Sequence, residues 1–206
     1  MKLIVVTAPD ETAGEVEAIT QMFEEGLQIL HLRKPDWPEA AVETFLRKLP
    51  PSHYRKIVLH AHYRLIEKYN LKGIHLPEYV CRNTAPEQLK SMVRAAIRRG
   101  LTVSTSVHTL EGLHKNPLKY SYAMLSPVFD SISKEGYRAV WSETQLSAAL
   151  QSEENISEVI ALGGIHAGNI STAVAMGFAG VALLGAVWSE GDAVENYRKI
   201  KTSLKQ

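Results

Sequence analysis

The sequence predicts a closed barrel of eight parallel β-strands alternating with helices, and three observations carry that expectation. Eight short β-branched or aliphatic runs recur along the chain: "KLIVVTA", "LQILHLRK", "KIVLHAH", "KGIHLP", "LTVSTSVH", "YAMLSPVF", "EVIALGGI" and "AGVALLGAV". Several of the intervening segments repeat their apolar residues at a helical period. Gly-rich turns follow each of the last two runs, at Gly163-Gly164 and Gly185.

Taken in order, each element has a local reason. "MKLIVVTAPDE" imitates a signal peptide with its Lys and apolar run, but the run is too short and stops at Pro9-Asp10. It reads as a first strand. Val16, Ile19, Met22 and Phe23 place an apolar stripe along a helix from Glu15 to Glu25. Pro86 opens a second helix after Thr84, and "PEQLKSMVRAAIRRG" closes it with basic residues and Gly100. Short helical segments follow strands three and five, and another covers 143–151. Gly191 or Asp192 starts a final helix through Tyr197 and Ile200. Continuous apolar strands between helices imply a parallel sheet covered on both faces. Eight such units imply a single-domain (β/α)8 TIM barrel over residues 1–206, slightly shorter than usual. A doubly wound open sheet is the competing arrangement, and it supplies no reason for the two late Gly-rich turns.

Composition narrows the classes of function. The chain has 206 residues, 45% apolar content and a formal net charge of +1. Near-balanced charge gives no footprint for nucleic acid or an anionic membrane surface. No stretch has the unbroken apolar length of a membrane span. The lone Cys81 excludes an intramolecular disulfide and suits a reducing cytoplasm. An oligomer is compatible with the sequence.

Polar residues at the strand ends are the candidates for chemistry. In a barrel alternate residues face inward, so His31 and Arg33 share one interior, as do His60 and His62. A cation such as Arg33 at the end of an apolar strand calls for an anion, from a ligand or from a structural salt bridge. His31, His60, His62 and His75 match no compact metal-ligand motif, and their spacing argues against a metal cluster. Ser104 and Ser106 share a parity with His108 following, but no nucleophile elbow accompanies them. "LSPVFDSISKEGY" runs from an apolar strand into Ser131, Ser133 and Lys134. Hydroxyls, backbone N–H groups and one ammonium suit a diphosphate as well as they suit a solvated turn. Gly163, Gly164 and Gly185 allow backbone N–H groups to approach a phosphate, or simply make tight turns.

Six stretches in order resemble the family of thiamin phosphate synthases and the related thiazole tautomerases (TenI-like). "ILHLRKP" resembles that family's Gln-x-Arg-x-Lys strand, "KGIHLPE" its Gly-Val-His-Leu-Gly-Gln turn, and "VSTSVHTLEG" its Ser-x-His-Thr-Leu-Glu segment. "YAMLSPVFDSISKEG" is similar to Gly-Pro-Val-Phe-x-Thr-x-Thr-Lys, and "VIALGGIHAGNI" and "GFAGVALLGAVW" to the last two strands.

The resemblance implies a (β/α)8 barrel enzyme of thiamin biosynthesis. Its synthase members couple hydroxymethylpyrimidine diphosphate to thiazole phosphate and release pyrophosphate with the help of Mg²⁺. It implies catalytic roles for Arg33 and Lys134, and His60 is a further catalytic candidate from its place at the end of the third strand. It implies substrate contacts for Ser106, Ser131, Ser133, Gly163, Gly164 and Gly185, with His31 and Lys34 as candidates at or beside the strand-two positions. Four positions depart from the pattern. His31 replaces Gln, Pro35 replaces Lys with Lys34 one position earlier, and His60-Ala61 replaces Asn-Asp. The last change removes a carboxylate and leaves Glu78 as the candidate Mg²⁺ ligand within residues 77–80. The tautomerase signature His aligns with Pro127. Synthase chemistry, tautomerase chemistry through His60 or His31, and non-catalytic binding of thiamin precursors all remain open at this level.

Overall fold

The computed structural model describes residues 1–114, 118–130, 139–151 and 158–204. Its eight strands are β1 (Lys2–Val6), β2 (Ile29–Leu32), β3 (Ile57–Leu59), β4 (Gly73–Leu76), β5 (Thr102–Val107), β6 (Tyr122–Leu125), β7 (Val159–Leu162) and β8 (Gly180–Leu183). Each pairs in parallel with the next, and β8 pairs with β1, closing the barrel. The open doubly wound sheet is thereby excluded.

Strand parity separates two apolar regions. Ile4, Val6, Ile29, Val58, Tyr122, Met124, Ile160 and Ala182 pack together inside the barrel. Their sequence neighbours, among them Val5, Leu30, Leu59, Ala123, Ala161 and Val181, belong to the larger core between sheet and helices. This alternation is the period-2 geometry of a strand, with both faces buried because helices cover the outside.

The helices follow their local chemistry. α1 (Glu15–Glu24) buries Ile19, Met22 and Phe23, and α2 (Glu39–Lys48) buries Val42, Phe45 and Leu46. α3 (Leu65–Lys68) is a single turn after β3, and α4 (Glu78–Asn83) follows β4 directly. α5 (Pro86–Arg98) begins with Pro at its first position, and α6 (Leu110–His114) follows β5. α7 (Glu143–Leu150) starts with a capping box, in which Ser142 and Gln145 satisfy each other's backbone N–H. α8 (Ile170–Met176) follows β7, α9 (Gly185–Trp188) is a short turn after β8, and α10 (Ala193–Ser203) is capped by Asp192. Asp192 rather than Gly191 is the cap because its carboxylate accepts the Glu195 N–H at 2.8 Å.

Candidate active site

A cavity of about 1000 Å³ opens at the carboxyl-terminal ends of the strands. Arg33, Lys34, His60, Glu78, Ser106, Gly163, Gly164 and Gly185 all line it, so eight of the expected residues meet at one mouth. Ser131, Ser133 and Lys134 lie outside the described residues.

The chain leaving β2 is clasped by Thr7 at the end of β1. The Arg33 backbone N–H donates to Thr7 Oγ1 at 2.9 Å, and the same hydroxyl donates to the Arg33 carbonyl at 2.9 Å. This double contact fixes where the Arg33 side chain starts. Among the described residues no carboxylate pairs with its guanidinium, which leaves a cation facing the cavity.

Lys34, expected as a substrate ligand, is used differently. Its Nζ reaches Glu15 at 2.5 Å and donates to the Asp10 carbonyl at 2.7 Å. Lys34 lines the cavity beside Arg33, but its ammonium is held by these partners within the wall. His62 is a correction to the parity argument. β3 ends at Leu59, and His62 sits in a left-handed turn with φ 54°. Its Nε2 bonds the Trp37 carbonyl at 2.9 Å, outside the cavity lining.

The interior beneath the mouth holds an imidazole cluster. His31 Nδ1 lies 2.8 Å from His60 Nε2, and His31 Nε2 lies 2.6 Å from the Tyr122 hydroxyl. His75 Nδ1 bonds Ser104 Oγ at 2.9 Å and its Nε2 bonds Ser106 Oγ at 2.8 Å. The His60 and His75 rings stack with centroids 4.1 Å apart. The sequence-level pairing of Ser106 with His108 is replaced by this pairing with His75. His108 instead bonds the Ser126 carbonyl.

Burial sets the charge state of the cluster. It lowers His31 well below the usual imidazole value, with His75 adding to the effect. It lowers His60 likewise, with His75, His31 and Arg33 adding. Burial and then Arg33 push His75 down to about 3. All three rings are neutral at pH 7, because a charged imidazole here would lose hydration and face other positive groups.

The glycines after β7 are required by a close approach between loops. Gly164 has φ +68°, and a Cβ there would lie 2.3 Å from the Asp130 carbonyl oxygen. At Gly163, φ +90°, a Cβ would come within 2.9 Å of Pro127 Cα. The β7 turn therefore packs directly on the chain leaving β6. Asn169 ties the turn down through its Nδ2 to the Gly164 carbonyl and its Oδ1 to the His166 N–H. Asn169 stands at the start of α8, but its side chain serves the turn and not the helix.

The oxygen donors do not fit a hard dication. Ala61 lines the cavity with no side-chain donor, and the Glu78 carboxylate is held by Arg82 at 2.6 Å. Among the described residues Asp10 is the other carboxylate in the lining, on the β1 side and away from Glu78 in the chain. The cluster of potential metal ligands found among the described residues contains His31, His60 and His75 and no acid. Mg²⁺ demands oxygen ligands, and this constellation offers imidazole nitrogen. The histidine cluster is also what sequence reasoning set aside: the three residues are far apart in the chain and meet because β2, β3 and β4 are neighbours.

Comparison with known proteins agrees with this placement. The family model described as "Thiamine monophosphate synthase" matches residues 3–187. A thiamine-phosphate synthase of Bacteroides fragilis is 26% identical over 212 residues, covering 97% of this chain and 98% of that protein. The crystal structure of a thiamine phosphate pyrophosphorylase from Bacteroides thetaiotaomicron is 33% identical with a TM-score of 0.81, covering 100% of this chain and 98% of that one. A thiamine phosphate pyrophosphorylase from Pyrococcus furiosus, at 20% identity and TM-score 0.74 over 99% of this chain and 95% of that one, shares the fold. A barrel mouth built from these strand ends, matched along nearly the whole chain, places the protein in the thiamine monophosphate synthase family.

Proposed function

We propose that the protein is a thiamine-phosphate synthase, coupling hydroxymethylpyrimidine diphosphate with thiazole phosphate. The observation that carries this reading is the meeting of Arg33, His60, Ser106 and the three glycines around one cavity. In the reaction the bond between the pyrimidine methylene carbon and the diphosphate oxygen breaks, and its electron pair leaves on pyrophosphate. The thiazole nitrogen lone pair then forms the new C–N bond, giving the thiazolium product.

The residues divide this work. Arg33 offsets negative charge as it develops on the departing pyrophosphate, in a mouth where water competes less well. Lys134, with Ser131 and Ser133, supplies the second cation and hydroxyl contacts, a role that rests on the sequence resemblance alone. The turns at Gly163, Gly164 and Gly185 hold the thiazole phosphate through backbone N–H groups. The stacked His60 and His75 rings form a flat wall for the pyrimidine, with Ser106 beside it. Mg²⁺ is a family expectation that these side chains support poorly, so no step is assigned to it. The unpaired Cys81 suits a cytoplasmic setting, and the described helices include none long and apolar enough to cross a membrane.

The test is incubation of the full chain with both substrates and Mg²⁺, following thiamin phosphate and pyrophosphate. The reading predicts both products in equal amounts. Neither product, or isomerisation of carboxythiazole phosphate without coupling, would reject it.

A further inference from the structure

Three imidazoles on neighbouring strands form a constellation of which the synthase reading uses only the His60 and His75 ring faces. One ring nitrogen of each of His31, His60 and His75 lies within 4.8 Å of the others. We propose that His31, His60 and His75 form a binding site for a divalent transition cation of the Zn²⁺ or Co²⁺ type, with an open coordination position facing the cavity.

The hydrogen bonds identify the donor atoms. His31 Nε2 is engaged by the fully buried Tyr122 hydroxyl, and His75 Nδ1 by the fully buried Ser104 hydroxyl. Metal-bound histidines hold their second ring nitrogen in this way, which sets the tautomer and aims the first. The remaining nitrogens are His31 Nδ1, His60 Nε2 and His75 Nε2. The first two already face each other at 2.8 Å, where they share one proton. His75 Nε2 rests on Ser106, a residue of the cavity wall. A cation entering from the mouth takes the place of the shared proton and of the Ser106 contact, and leaves the buried partners in place. The proton moves to the other nitrogen of the ring that carried it.

Size and charge define the ligand further. Zn–N bonds of about 2.0–2.1 Å at tetrahedral angles need nitrogens roughly 3.4 Å apart. Closing the present spread therefore needs the His60 and His75 rings to turn out of their stack toward a common point. Imidazole nitrogen suits Zn²⁺, Co²⁺, Ni²⁺ and Cu²⁺ and is a poor donor for Mg²⁺. No carboxylate belongs to the cluster, and Arg33 lines the same cavity. The cation must bring its own counter-charge, so the open position takes an anion such as hydroxide or a phosphate oxygen. Three protein nitrogens and one exchangeable position make an open site rather than a closed structural one.

The experiment uses the full chain, stripped with chelator and titrated with Co²⁺ at neutral pH under visible absorption. The expected result is one equivalent per chain with the intense bands of a low-coordinate Co²⁺ ion, bleached by Zn²⁺ and unaffected by excess Mg²⁺. His60→Ala and His75→Ala should lose these bands, whereas His53→Ala, at a distant position, should keep them. Tyr122→Phe should weaken binding about 10- to 100-fold by removing an orienting partner. His60→Gln preserves side-chain volume, and its thermal transition shows whether the barrel remains folded if His60→Ala does not. Absence of the bands, or their retention in folded His60→Gln, overturns the site. Co²⁺ binding as expected by a protein without coupling activity supports the site and rejects only the synthase reading.

Discussion

Lys34 and Glu15 form an ion pair at 2.5 Å in which the two side chains are 0% and 2% exposed. Glu15 also accepts the Ala8 N–H at 2.9 Å, so the pair ties the β1–α1 loop to the chain leaving β2. Desolvation raises the Glu15 carboxyl even though Lys34 and the Ala8 N–H act to lower it.

Removing one partner should therefore hurt more than removing both. Glu15→Gln leaves a buried ammonium without its counter-charge, at an expected cost of roughly 3–5 kcal/mol. Glu15→Met with Lys34→Met should recover most of that loss, because no charge then has to be desolvated. Urea denaturation of the single and double variants measures both. Equal destabilisation by the two would show that the pair itself contributes the stability.

Arg33 is the cation that the β2 turn leaves facing the cavity. Arg33→Ala should lower kcat/KM for the diphosphate substrate by about 10²- to 10³-fold, the scale for losing one group aimed at transition-state charge. Arg33→Lys should restore part of the rate, since it returns charge without the planar fork. Steady-state kinetics with both variants tests this, and an unchanged kcat/KM in Arg33→Ala would remove Arg33 from the site.

Gly164 and Gly191 offer a matched pair. Their φ values are +68° and +69°, but a Cβ at Gly191 meets nothing within 4 Å while one at Gly164 strikes the Asp130 carbonyl. Gly191→Ala should cost about 1–2 kcal/mol, the left-handed penalty alone. Gly164→Ala should cost clearly more and also weaken thiazole phosphate binding, because the β7 turn must move away from the β6 loop. Thermal melts and calorimetry separate the two effects. Equal losses would mean that the β6 loop yields without resistance.

Glu43 gives the fold a pH dependence of known sign. Hydrogen bonds from Lys68, Tyr69 and Arg47 hold its carboxyl at about 2, against an ordinary 4.5. The folded form thus binds the proton less tightly than the unfolded chain. Acidification protonates the unfolded chain first, so the contribution is complete above about 4.5 and lost as pH falls toward about 2. Glu43→Gln should lower the melting temperature near neutrality and flatten its decline across that interval. Parallel acid limbs in the two proteins would assign the dependence to other groups.

Local pattern alone determined the barrel and much of its mouth. Eight apolar runs with both faces buried have few solutions other than parallel strands under helices, and strand parity turns Arg33 and His60 inward. The Ser142 capping box is equally local, since Ser142 and Gln145 stand three residues apart at the start of α7. What only the tertiary structure decided depends on which strands become neighbours and where each one ends. His31, His60 and His75 have no motif spacing, yet closure and stagger of the barrel bring β2, β3 and β4 side by side and gather the three rings. Lys34 pairs with Glu15 of α1 because β1 and β2 are neighbours, which brings the start of α1 beside the chain leaving β2. His62 escapes the interior because β3 stops three residues earlier and a left-handed turn breaks the alternation. Periodicity carries information only while the strand lasts, and contacts between strands are set by closure of the whole sheet.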